Sequence, residues 1–398
     1  MQNFKPYQLI LILIPFVFSF ALGLDIYIPI IPQMTEIFQT TTPLVHLTLS
    51  LFLFFTGFGQ LFIGPLSDQF GRKRILYISA ALFAIGSLSC IFSLNIYWLI
   101  LARVVSAIGA CGMLVTSFAL VRDLYASDTN AKMYSFLNGA IGISPTFAPI
   151  IGGNLAVYFG WQSIFAFLSL IGFLSLIVIY LFIEETHGIA QRVKMDKAIF
   201  RRYLDIFKNK QFLIYAFIGG FAEGVFFSFF SLSPFIIIDL HGTPTQEFGY
   251  YFAVFGAVIG LGGFVSGKVI EKFGIMTTII LGIAMMFIGG FSMLGWNYID
   301  SLSLQGFLIP MAIACTGAMF LVGSTVSKAL EPFAPIAGTA AAAFGSLEFG
   351  IAAVVGSILM QFPTNTTLPY AGLIIILAVS SAACLSLGRK ESGLLPVH

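Results

Sequence analysis

From Leu9 onward the chain is a succession of long apolar runs, each ended by a polar or Gly/Pro cluster. A helix needs about 20 apolar residues to cross a bilayer, and the runs predict twelve such helices. The first six fall near residues 8–32, 44–66, 75–94, 96–121, 133–158 and 162–183. The second six fall near 212–238, 247–270, 275–297, 302–326, 336–361 and 366–388. The longest polar stretch, Glu184 to Gln211, separates helices six and seven. The expectation is an all-α membrane protein: a six-helix bundle over 1–184, a linker over 185–211 and a second six-helix bundle over 212–398. The first run, Leu9 to Ile31, is longer than a signal-peptide core and is followed by no small-x-small cleavage site, so it is read as a span rather than a removed leader.

Composition strengthens the membrane reading. Of the 398 residues 58% are apolar and 9% charged, against about 25% charged in soluble domains. So few charges cannot cover a water-facing surface, and the surrounding partner is a lipid bilayer. A net charge of +2 gives no reason to expect a nucleic-acid partner. Cys90, Cys111, Cys315 and Cys384 all lie inside apolar runs and read as packing residues. His46, His187, His241 and His398 are far apart in sequence, so no metal site and no cofactor is expected.

Charge position then tests topology. With both termini cytoplasmic, 18 of the 19 Lys/Arg fall in cytoplasmic segments, while the opposite face carries acids such as Glu36, Asp239, Glu247 and Asp300. Adding or removing one helix would scramble this asymmetry. The linker holds seven basic residues, including Arg192 and Lys194, and reads as a solvated segment along the anionic inner leaflet.

An offset of 203 residues aligns Gly57, Gly64, Asp68, Phe70 and Gly71 with Gly260, Gly267, Glu271, Phe273 and Gly274. It also pairs Gly142 with Gly345 and Gly153 with Gly356. The two halves are thus expected to be parallel repeats, whose glycines let helices approach closely. Parallel six-helix repeats are the layout of a large transporter class that binds substrate between its halves.

Ionisable groups at membrane depth are costly and are functional candidates. Four stand out: Asp25 in helix one, Arg103 in helix four, Glu223 in helix seven and Glu348 in helix eleven. At ~1.5 Å per residue, Asp25 and Arg103 lie roughly 12–14 Å below the outer surface, a depth at which they could pair. Glu223 and Glu348 lie roughly 18 Å from the cytoplasmic ends of their helices. Burial disfavours the charged form of a carboxylate and a nearby arginine favours it, so an Asp25–Arg103 separation that changes between conformations would load and unload a proton. A static ion pair fixing helices one and four is the alternative. Glu223 is a second candidate for a proton or a cationic substrate, whereas Glu348 is equally readable as a hydrogen-bond partner of a neighbouring helix.

The most specific motif is Gly64-Pro-Leu-Ser-Asp68-Gln-Phe-Gly71-Arg72-Lys73-Arg74 in the first cytoplasmic loop. Gly71 permits a tight turn, the basic cluster holds the loop on the inner face, and Asp68 can pair with those cations or cap a helix. This stretch resembles the loop signature of the major facilitator superfamily, G-x-L-x-D-x-x-G-R-K. Arg103-Val-Val-Ser-Ala-Ile-Gly109 resembles that family's arginine-containing helix-four motif, with Ser106 and Ala107 replacing Gln-Gly. Ser144, Pro149, Gly152 and Gly153 follow the helix-five pattern of proton-driven exporters, with Ser144 and Ala148 standing where it has glycine. A finer resemblance, to the bicyclomycin-resistance branch of drug:proton antiporters, rests on Asp25-Ile-Tyr-Ile-Pro29, Leu120-Val-Arg-Asp123, Pro149-Ile-Ile-Gly-Gly153 and Ser231-Leu-Ser-Pro234-Phe.

The resemblance implies the major facilitator fold, a cavity lined by helices one, four, seven and ten, and a gate at Asp68 set against helix eleven near Pro335. It further implies a monomeric drug exporter in a bacterial inner membrane, driven by the proton gradient and moving small amphipathic molecules. A dedicated siderophore or metabolite transporter of the same superfamily is the nearest alternative. A membrane-embedded enzyme is more remote, because no His/Asp cluster or Ser/Lys motif supplies a catalytic constellation.

Overall fold

The computed structural model describes residues 5–125, 127–186, 197–300 and 303–391. His187, Arg192, Lys194 and His398 lie outside them. All the regular structure among the described residues is helical. In the first half α1 (Pro6–Asp25) is followed by a 3-10 turn at Ile28–Ile30 and the short α2 (Ile31–Ile37). Then come α3 (Thr42–Phe70), α4 (Arg72–Ile91), α5 (Ile96–Leu124), α6 (Ser127–Phe159) and α7 (Gln162–Phe182). A short α8 (Lys197–Lys208) leads into α9 (Lys210–Pro234), α10 (Thr245–Ile299), α11 (Leu304–Leu330), α12 (Ala337–Leu359) and α13 (Leu368–Glu391).

Ten continuous apolar helical runs are long enough to span a membrane, and two of them are double. α10 has 55 residues, about 80 Å at ~1.5 Å per residue and far more than a ~30 Å hydrocarbon layer. It is broken at Gly274, whose φ of 82° and ψ of 165° are open to glycine and strained for other residues. The run from Leu304 to Leu359 is likewise interrupted by a 3-10 stretch at Glu331–Ile336. Divided at those points, the described residues contain the twelve spans that hydropathy predicts.

Two compact units emerge. One comprises Met1–Ile199 with Pro244–Gly256, the other Phe200–Thr243 with Ala257–His398. The N-terminal part of α10 therefore packs with the first unit, where glycines make room for α6. A Cβ on Gly249 would come within 2.6 Å of the Ile150 Cα, and one on Gly256 within 2.7 Å of the Thr146 Oγ1.

Within each unit the internal repeat is written in backbone contacts. In the first, α4 and α5 touch through Gly109, whose added Cβ would strike the Phe83 nitrogen and lie 2.6 Å from the Ser79 carbonyl oxygen. In the second, a Cβ added to Gly317 of α11 would lie 2.6 Å from the Gly282 oxygen and 3.0 Å from the Met286 nitrogen. Residues 79 and 83 map to 282 and 286 by the 203-residue offset, but 109 maps to 317 by 208. A second pair obeys the same two offsets: Gly86 against Ala102 and Ser106, and Gly289 against Pro310 and Ala314. The helix caps agree, since Asn95 accepts from the Trp98 nitrogen and Ser303 from the Gly306 nitrogen, again 208 residues apart. Helix nine is simply five residues longer than helix three, which moves helix ten out of the single register.

Gly71 and Gly274 hold the same place in the two halves, and both have positive φ, 97° and 82°. The close-approach role expected of the other repeat glycines is not general. A Cβ on Gly64, Gly142, Gly260 or Gly267 would meet no atom within 4 Å. Helix contact does not explain those four; the tight crossings use Gly86, Gly109, Gly172, Gly282, Gly289 and Gly317 instead.

Candidate functional site

Asp25 sits where α1 stops being regular. Pro29 and Pro32 lack amide hydrogens, and the chain passes through the 3-10 turn before resuming as α2. The aspartate is 3% exposed. Its Oδ2 accepts a 2.7 Å hydrogen bond from the Ser144 hydroxyl of α6. The helix-five motif sets up this meeting. A Cβ on Gly152 would overlap the Ile26 carbonyl oxygen, and one on Gly153 would come within 2.7 Å of the Thr245 oxygen. Only glycine lets α6 press against the irregular end of α1, which brings Ser144 to Asp25. Pro149 lies within the same helix, between Ser144 and the glycine pair.

Arg103 is 1% exposed on α5. Its Nη1 donates to the Gly23 carbonyl at 2.7 Å and its Nε to the Thr48 carbonyl at 3.4 Å. The guanidinium lies 4.2 Å from the centroid of the Phe52 ring and 5.2 Å from that of Tyr27, so ring faces supply part of its compensation. Its Nη2 has no hydrogen-bond partner among the described residues. In this conformation Arg103 thus engages the helix of Asp25 through a carbonyl two residues before the carboxylate. Each of these carbonyl oxygens has a second lone pair, so Gly23 and Thr48 can accept from Arg103 without giving up a helix bond.

In the second unit α9 packs on α12, and glycines again fix the contact. A Cβ on Gly220 would come within 2.5 Å of Ile351, and one on Gly224 within 3.1 Å of Val355. Glu223 lies on the same face of α9 as these glycines, while Ile351 and Val355 follow Glu348 by three and seven residues on α12. Both carboxylates therefore fall in the α9–α12 seam. They are partly exposed, and Glu348 lies within electrostatic reach of Glu223. Helices one and five of the first unit correspond to helices seven and eleven of the second, so both units carry acids in the same helix pair. The position equivalent to Arg103, 208 residues on, is the fully buried Met311.

The loop motif builds a third cluster at the end of the first unit. Gly71 ends α3 and opens α4, and Arg72 immediately after it is 1% exposed. Arg72 is thus not the headgroup-facing cation that its basic neighbours suggest. Its guanidinium pairs with Asp68, donates to Ser67 and reaches Asp123 at 2.8 Å, and its backbone nitrogen donates to Glu185 at 2.8 Å. Glu185 therefore caps the positive end of α4. Arg122 approaches Asp68 at 3.9 Å. Lys73 is half-buried, Arg74 lies over the Phe70 ring, and Gly64 stands in open space. Asp123 and Glu185 were not evident as members of this cluster from sequence. Asp123 directly follows Arg122 in a polar break between spans, which is a signal; Glu185 lies in the polar stretch and carries none. Among the described residues no group of His, Cys, Asp and Glu could hold a metal ion.

Known proteins bear on this arrangement. The chain is 30% identical to a bicyclomycin resistance protein homolog of Haemophilus influenzae over 87% of each chain. It is 30% identical to a chloramphenicol resistance protein of Pseudomonas aeruginosa, covering 96% of this chain and 92% of that one. In architecture it is similar to a peptide transporter POT solved in complex with sulfate, with a TM-score of 0.79, 12% identity, and coverage of 96% and 94%. The family model of the Major Facilitator Superfamily matches residues 13–357. With twelve spans in two repeated units, the chain belongs to the Major Facilitator Superfamily, and is a multi-pass membrane transporter of small molecules.

Proposed function

We propose that this transporter is a proton-driven exporter of small amphipathic compounds, drugs among them, in a bacterial inner membrane with both termini cytoplasmic. The single observation that carries the reading is the buried Asp25 at the break in α1, held by Ser144 of the exporter-type helix motif. A carboxylate removed from water, on a helix already interrupted, has the chemistry to exchange a proton as the helix moves. The Nη2 of Arg103, beside the same helix, has no hydrogen-bond partner among the described residues. Pairing of Arg103 with Asp25 in another conformation would expel the proton, and separation would restore it. Glu223 and Glu348 supply a second acidic locus, able to hold one shared proton or the positive group of a cationic substrate. The Arg72 cluster, with Asp68, Gly71 and Lys73, serves as the conformational gate. Similarity to proteins named for bicyclomycin and chloramphenicol resistance supports drugs as cargo.

The test uses everted vesicles energised by respiration, with a fluorescent reporter of the pH gradient. Adding bicyclomycin, chloramphenicol or a lipophilic cationic dye should dissipate the gradient in vesicles containing the protein, and Asp25→Asn should abolish that response. Absence of any evoked proton movement in the wild type would remove the antiport reading.

A further inference from the structure

α8 is the one described helix too short and too polar to cross the membrane that nevertheless adjoins a span. Only Asn209 separates it from α9, and Asn209 caps α9 by accepting from the Phe212 nitrogen at 2.9 Å. The span begins at Lys210. α8 is therefore held at the membrane–water boundary, within one residue of where the chain enters lipid.

Its faces are unequal. On a helical wheel Ile199, Tyr203 and Ile206 share one side, and Tyr203 and Ile206 are buried against the protein. The adjoining side carries Phe200 and Leu204, 50% and 57% exposed, one turn apart. Next around the wheel come the exposed cations Arg201 and Lys208. The protein thus covers only part of an apolar arc and leaves the rest uncovered beside two positive charges. A solvated linker has no use for an exposed Phe–Leu pair. The arrangement suits an interfacial helix, whose apolar edge enters the headgroup boundary while its cations meet anionic headgroups.

We propose that α8 is a membrane-surface anchor that binds anionic phospholipid, with Phe200 and Leu204 inserted and Arg201 and Lys208 on the headgroup phosphates. Charge complementarity selects this occupant: Arg201 and Lys208 flank the exposed apolar pair, one residue from the start of the span α9. Each cation is expected to favour an anionic over a neutral surface by about fivefold. The inference depends on the proposed orientation only for naming the leaflet as cytoplasmic, and on no statement about cargo or protons.

Spin labels introduced singly as Phe200→Cys, Leu204→Cys and Asp205→Cys, in full-length protein carrying Cys384→Ser, report the depth of each position. The protein is reconstituted in vesicles of phosphatidylcholine or of an equal mixture with phosphatidylglycerol. In the mixture, labels at 200 and 204 should be several-fold more accessible to oxygen than to a water-soluble nickel chelate, with the reverse at 205. In phosphatidylcholine alone, or in the mixture with Arg201→Gln and Lys208→Gln, the difference should shrink. A label at 204 as open to nickel as that at 205 overturns the anchor. Equal depth in both lipids overturns the anionic selectivity. Neither readout depends on transport, so the result stands apart from that of the vesicle assay.

Discussion

The two units place acids in corresponding helix pairs and surround them with opposite chemistry. In the first, one carboxylate, Asp25, receives a hydroxyl from α6, and a buried arginine lies alongside. In the second, Glu223 shares its seam with another acid, Glu348, and methionine occupies the arginine position. Duplicated packing, down to the carbonyl that each crossing glycine touches, has been preserved while the electrostatics have diverged. A lone acid beside an arginine has a built-in competitor for its charge and is suited to releasing a proton. Two acids together repel when both are ionised, and are suited to retaining a proton or accepting a cation. Under the proposed function, the difference would divide energy coupling from cargo recognition within one repeated scaffold.

Breaking the comparison at Asp25 should have the largest effect. Asp25→Asn is expected to reduce substrate-evoked proton movement to background while binding of cargo to the purified protein, followed by quenching of intrinsic fluorescence, persists. Arg72→Ala should come next among the structural changes. It leaves Asp68 and Asp123 with only the longer Arg122 contacts and should lower stability by about 2–3 kcal/mol in a denaturation series in detergent. Gly71→Ala and Gly274→Ala sharpen the equivalence of the two halves. Each forces a side chain into a backbone region open to glycine, so each should cost about 1–3 kcal/mol, and the two costs should agree. A large cost at Gly71 with none at Gly274 would show that the second turn is not the counterpart of the first. The smallest expected effect is that of Ser144→Ala. It removes one hydrogen bond to the carboxyl of Asp25, worth about 0.5–1.5 kcal/mol when that group is neutral. Proton flux should fall by up to roughly tenfold, without vanishing.

Much of this was legible in the chain. Apolar run length located the spans, because backbone groups in lipid must be satisfied within a helix. The offset that aligned Gly71 with Gly274 also picked out two turns that need positive φ. The equivalence of Gly109 and Gly317 was hidden, since the longer helix nine changes the register and the touched residues, Ser79 and Phe83 against Gly282 and Met286, differ in type. Backbone atoms make those contacts, so side-chain identity carries no trace of them. The bond from Ser144 to Asp25 joins positions 119 residues apart, and no periodicity encodes it. Read against the glycine pattern, Ser144 was only a substitution; in the fold it is the donor that holds the acid. Glu185 was lost for a related reason, because a cap is set by where the chain returns and not by its local composition.

The division of labour between the units can be tested in one measurement. Purified wild-type, Asp25→Asn and Glu223→Gln/Glu348→Gln proteins are reconstituted into liposomes containing a pH-sensitive dye. Proton movement is then followed on adding a neutral drug, chloramphenicol, or a lipophilic cationic dye. Asp25→Asn should show no movement with either compound, whereas the double glutamine variant should respond to chloramphenicol and fail with the cation. Full proton movement in Asp25→Asn, or equal loss of both responses in the double variant, would contradict the assignment of coupling to the first unit and cation recognition to the second.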